Sequence, residues 1–147
     1  MKRVSFFAVT ALALGAASLP AQTARPAAAP AQRVQMKQTG NRYLFEPATF
    51  TVKQGDQVDF VNVSGFPHNV EFDAAKIPAG AADVLNRNMP NRLGPVQGPM
   101  MTQANQSYRV SFAGAPAGTY DYFCLPHRAL NMKGTITVTA SGAPARR

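Results

Sequence analysis

The chain carries two histidines, His68 and His127, and one cysteine, Cys124. Cys124 opens the run Cys124-Leu125-Pro126-His127, and Met132 follows His127 after a gap of four residues. His68 stands far upstream, in Phe66-Pro67-His68-Asn69-Val70. Each has an ordinary role when taken singly: a buried thiol, a surface histidine, a core methionine, a histidine in a loop after proline. Together they are a donor set. Cu(II) favours imidazole and Cu(I) favours soft sulfur. Two imidazoles, a thiolate and a weak, long thioether therefore suit both states, and little has to move when one electron arrives or leaves. The chemistry to expect is reversible one-electron transfer at a single copper ion.

Such a set works only if something holds it still. The apolar pattern between Arg33 and Ala140 has a period of two, the signature of strands. Alternation marks Val34–Gln38, Gln57–Val63, Tyr108–Phe112 and Thr135–Thr139, and shorter runs fall at Tyr43–Glu46, Thr49–Val52, Val70–Phe72 and Thr119–Phe123. Gly and Pro punctuate them, as at Lys53-Gln54-Gly55-Asp56 and Pro116-Ala117-Gly118. Seven or eight short strands predict an all-β sandwich or small barrel. Helical turns are expected only at Asp73–Ala75 and Ala81–Asn86. The 81–107 segment is rich in Met, Asn and Pro and gives no period. Cys124 closes one strand and Met132 precedes the next, so the loop between them is tied at both ends. Tyr122 and Phe123, just before the cysteine, should point to opposite faces.

The ligand loop resembles that of the plastocyanin/amicyanin/pseudoazurin group of cupredoxins, the blue (type-1) copper proteins. The resemblance rests on Tyr120 to Gly134, on Pro67-His68-Asn69-Val70 with Phe72-Asp73, and on Ile77-Pro78-Ala79-Gly80. The gap between His127 and Met132 matches plastocyanin and pseudoazurin rather than the shorter one of amicyanin. The resemblance covers most of Tyr43 to Thr139. It implies a cupredoxin-like Greek-key β-sandwich of eight strands, with His68, Cys124 and His127 as strong copper ligands and Met132 as the axial one. It also implies that Asn69 ties the first-ligand loop to the cysteine loop by hydrogen bonds. The chain departs from plastocyanin between Ile77 and Ser107, which is longer and lacks the acidic patch.

Lys2 and Arg3 followed by the apolar run Val4–Leu14 and small residues have the layout of a signal peptide. That run is shorter than the roughly 20 residues that span a bilayer, so no transmembrane anchor is expected. The domains expected are a signal peptide at 1–21, an Ala/Pro-rich linker at 22–32, a cupredoxin domain at 33–140 and a flexible tail at 141–147. Export to the periplasm follows, and there a lone cysteine is a liability unless it ligates or reacts. The chain has 15 basic against seven acidic residues, a net charge of +8. The basic balance favours acidic partners or anionic surfaces, while beyond Lys2-Arg3 the cations are scattered singly up to the Arg146–Arg147 end, which argues against nucleic-acid binding.

The function expected is a monomeric electron carrier that catalyses nothing itself. Electrons would pass at the edge of His127, through an apolar patch of Phe66, Pro67, Leu125, Pro126, Ala129 and Leu130. A c-type cytochrome or a membrane-bound oxidase or reductase would be the partner. A copper enzyme needs a further open centre built mostly from histidine, and none remains. The alternative is a copper chaperone or storage protein, to which Met89, Met100 and Met101 could contribute.

Overall fold

The computed structural model describes residues 31–142; the expected signal peptide, most of the expected linker and residues 143–147 of the expected tail lie outside them. Eight strands form two four-stranded sheets: β1 (Gln32–Thr39), β2 (Arg42–Glu46), β3 (Thr49–Lys53), β4 (Gln57–Asn62), β5 (Glu71–Phe72), β6 (Ser107–Ser111), β7 (Gly118–Phe123) and β8 (Lys133–Thr139). One sheet runs β2-β1-β4-β6 and the other β3-β8-β7-β5. The pairs β1–β4 and β3–β8 are parallel and the others antiparallel. The all-β sandwich expected from alternation is what forms.

The inward positions of the two sheets make the core. Val34 and Met36 on β1, Phe45 on β2, Val58 and Phe60 on β4, Tyr108 and Val110 on β6, Tyr120 and Tyr122 on β7, and Ile136 and Val138 on β8 are all buried. Burial of such side chains contributes roughly 1.5–3 kcal/mol each and outweighs weak local preferences. Aromatic rings meet edge to face through this layer: Phe45 and Phe60 lie 4.8 and 5.5 Å from Tyr122. The buried tyrosine hydroxyls find acceptors, Tyr122 donating to the Ala48 carbonyl and Tyr120 to that of Pro116.

The aperiodic middle segment holds one helix, α1 (Ala81–Asn88), which starts at Gly80 with φ at 76° and buries Ala81 and Leu85. After it the chain runs as a strap along the edge formed by residues 68–72. Phe72 donates to Val96, Gly98 to Val70, and His68 and Met101 exchange both backbone bonds at 2.9 and 2.7 Å. Sequence alternation could not place this strap because its hydrogen bonds go to another loop rather than into a sheet ladder. One helical turn also went unforeseen. Leu125–Leu130, between Cys124 and Asn131, is 3-10 helical with a kink at His127, and a short turn opened by proline carries no period. No helix among the described residues is long and apolar enough to cross a membrane.

Candidate metal centre

The hairpin β7–β8 carries three of the four expected residues. Its ladder continues past the strand ends, with Cys124 N–H donating to the Met132 carbonyl at 3.0 Å and Met132 N–H to that of His127 at 3.2 Å. Asn131, at φ 64°, takes the left-handed turn that brings the chain back, a conformation asparagine adopts more readily than most residues. Cys124 and Met132 are thus fixed across the mouth of one hairpin, both wholly buried.

His68 comes from the other sheet's side, on the loop after β4. Asn62, at the end of β4, organises that loop. Its Nδ2 donates to the carbonyls of Phe66 and Met101 at 2.7 and 3.0 Å, and its Oδ1 accepts from Gly65 N–H at 3.0 Å. The Ser64 hydroxyl lies 3.0 Å from His68 Nε2 and 3.4 Å from Asn62 Oδ1. A neutral His68 ring that donates Nε2–H to Ser64 leaves the Nδ1 lone pair facing the sulfur. Asn69 Oδ1 accepts from Leu125 N–H at 2.7 Å, which ties the two loops together as the resemblance implies.

These elements bring His68, Cys124 and His127 together, with one donor atom of each lying within 4.8 Å of the others. Nδ1 of His68 is 3.6 Å and Nδ1 of His127 is 3.4 Å from the Cys124 sulfur. His68 is wholly buried and His127 is partly exposed, so the centre has a closed side and an open one. Burial holds the His68 imidazole down to about 4, with the second imidazole adding to it, and lowers His127 as well. Burial raises the Cys124 thiol, opposed by backbone hydrogen bonds from Asn69 and His127. The two rings are neutral around neutrality, with lone pairs free for a cation, whereas the thiol is short of a positive charge to stabilise its anion. A cation is what this cluster fits: two neutral nitrogens, one sulfur that a metal would deprotonate, and a buried thioether at the end of the same loop.

Other residues at the centre carry no sequence signal of their own. Tyr43, on β2, stacks on the His127 ring, with centroids 3.8 Å apart and planes 9° from parallel. It meets Phe66 and His68 edge to face. Ser64 was equally silent, whereas the alternation of β4 does send Asn62 inward with Val58 and Phe60. Tyr122 and Phe123 are both buried: Tyr122 points into the core, while the Arg128 guanidinium covers the Phe123 ring at 4.2 Å. Of the three methionines that could serve a chaperone or storage role, Met89 and Met101 are buried in the apolar core.

Comparison with known proteins agrees with this geometry. Residues 32–139 match the family model described as copper binding proteins, plastocyanin/azurin family. Plastocyanin of Scenedesmus fuscus is 42% identical over 96 residues, covering 65% of this chain and 86% of that protein. Plastocyanin of Nostoc punctiforme is 42% identical over 95 residues, 64% of this chain and 63% of the relative. Among solved structures, the oxidised form of plastocyanin from Dryopteris crassirhizoma is 30% identical, with a TM-score of 0.56, covering 73% of this chain and 99% of that one. An oxidised mutant of amicyanin is 32% identical, with a TM-score of 0.50, covering 74% and 82%. A sandwich of this topology, a His–Cys–His cluster with a buried methionine at the end of the same loop, and a family match across nearly all the described residues together place the chain in the plastocyanin/azurin family of type-1 copper proteins.

Proposed function

We propose that the protein is an exported, soluble carrier of single electrons, with His68 Nδ1, Cys124 Sγ and His127 Nδ1 as its strong copper ligands and Met132 as the weak axial one. Copper, when bound, supplies the one-electron Cu(II)/Cu(I) couple. The observation that carries the reading is the built donor set: three ligand atoms gathered within 4.8 Å on a hairpin and a loop that are each tied in place.

The chain's own residues do the rest. Ser64 sets which nitrogen His68 presents. Asn62 and Asn69 keep the His68 loop in register with the cysteine loop. Burial of Cys124, Met132 and His68 excludes water, so the donors need not rearrange with solvent when charge changes. The His127 side is where electrons pass. Phe66, Leu125 and Leu130, at 45%, 45% and 56% exposed, are three of the four exposed large hydrophobics among the described residues, and all flank it. With Pro67 and Pro126 they make a small apolar face suited to brief docking of a c-type cytochrome or a membrane-bound oxidase or reductase. No histidine is left to build an open catalytic centre, so the protein acts on electrons and not on a substrate of its own. The Nostoc and Scenedesmus relatives named plastocyanin support the carrier over the chaperone.

The test is the visible spectrum of the Cu(II)-loaded protein beside Cys124→Ser. An intense thiolate-to-copper band, bleached by reductant and missing in the variant, is expected. A colourless protein that still binds copper would favour a chaperone, and one that binds none would end the copper reading.

A further inference from the structure

We propose that the face around His127 selects a redox partner whose own electron-exchange face is acidic, through a rim formed by Arg42, Arg128 and Lys133. This rests on the electron-carrier reading above and adds the partner's chemistry to it. Each of the three cations is the chain neighbour of a residue at the centre. Arg42 precedes Tyr43, which stacks on His127; Arg128 follows His127; Lys133 follows Met132. The register of the sheets puts them at one end of the sandwich, with Lys133 opposite Phe123 and Arg42 opposite Thr39. All three are exposed, and Arg42 and Lys133 line one shallow cleft together with Leu130.

Their charge is not spent inside the molecule. The ion pairs among the described residues join Lys37 to Glu46, Lys76 to Asp121 and Arg109 to Asp59, and none includes a rim cation. Arg128 and Lys133 also border a cleft with Asp73, Asp121 and Lys76, in which Lys76 lies 3.9 Å from Asp121 and the Thr135 hydroxyl donates to Asp121, while Asp73 caps the Ala75 N–H. Glu71, opposite Phe123, is partly buried, and burial raises its carboxyl towards the neutral form while Arg128 opposes this. Arg128 is further held by the contact of its guanidinium with the Phe123 ring, 4.2 Å from the centroid, which pre-positions it beside the ligand loop. An apolar centre with unpaired cations on its margin gives contact from the apolar atoms and steering from the charges. The encounter rate is the quantity such a rim changes most.

The test is stopped-flow oxidation of the copper-loaded, reduced protein by one haem protein in two forms. These are mitochondrial cytochrome c with its native basic surface and the same cytochrome with its lysines succinylated. The acidic form should react faster at low salt, and its advantage should vanish as salt is added. The variant Arg42→Glu/Arg128→Glu/Lys133→Glu should keep its visible band and lose about tenfold or more in rate with the acidic form. The variant Arg33→Glu/Lys53→Glu/Arg87→Glu changes the net charge equally, away from the rim, and at an ionic strength of about 0.1 M, where the Debye length is about 10 Å, should stay within about twofold of the parent while the rim variant remains slowed. Equal slowing of both variants would overturn the proposal in favour of net charge alone. A coloured protein indifferent to the sign of the cytochrome would overturn the rim and leave the carrier reading standing. Absence of the visible band would remove the carrier reading and the rim proposal with it.

Discussion

At the residue scale, the centre is a set of groups whose ordinary acid–base behaviour has been bent by burial. His68 in the unfolded chain takes its proton near the usual value of about 6.5. In the folded protein it resists until about 4, because the ring is buried and, to a lesser extent, because the His127 imidazole lies beside it. Between those values the unfolded chain binds more protons than the folded one, so stability rises with pH there. The copper-free protein should therefore lose stability as pH falls from about 6.5 to about 4, and the shift corresponds to a loss on the order of 3 kcal/mol. Urea unfolding of copper-free protein across that window, beside His68→Asn, measures it. The variant's curve should be flatter, and parallel curves would show that His68 is not held neutral. The His68, Cys124 and His127 cluster was legible because the chain holds only two histidines and one cysteine, and Met132, one of six methionines, stood out only by its spacing after His127. The roles of Tyr43 and Ser64 were not legible, because a stacked ring or a hydrogen-bonded hydroxyl depends on where two distant loops meet, and of Asn62 only its inward place on β4 was legible, not its hydrogen bonds.

At the element scale, the hairpin β7–β8 is the part whose failure would reach the centre fastest. Gly134 sits opposite Tyr122, two residues beyond Met132. A Cβ there would lie 2.3 Å from the Ala48 carbonyl oxygen and 2.5 Å from the Tyr122 ring, and neither is free to retreat: the oxygen accepts from Thr135 N–H and from the Tyr122 hydroxyl. Gly134→Ala should cost about 1–3 kcal/mol, as overpacking does, seen as a lower denaturation midpoint of the copper-free protein; an unchanged midpoint would show that β8 has room. The strands were legible because half-buried strands alternate, and β1, β4, β6 and β8 all do. Val70 is the exception. Its backbone pairs with the strap at Gly98, and the strand itself is only Glu71–Phe72. The strap was the largest gap in the sequence reading, and it turns out to back the first ligand, with Met101 bridging His68.

At the scale of the whole molecule, two sheets hold the proposed ligands from both sides of the sandwich, so neither sheet can shift alone without moving one of the clustered donors. His68 follows a strand of the sheet β2-β1-β4-β6, while Cys124, His127 and Met132 belong to a hairpin of the other. The site lies at one end, closed beneath by aromatic core and open only at His127 and its apolar margin. That arrangement suits a protein that must admit an electron and keep its metal. A chaperone would need the reverse, an open centre that releases copper readily. The direct measurement is a redox titration of the copper-loaded protein, followed by its visible band in the presence of a weak Cu(I) chelator. A carrier takes up and returns one electron per chain through repeated cycles, with the band fully recovered and no copper passed to the chelator. Loss of the reduced ion to the chelator, or a band that does not return on reoxidation, would contradict the account.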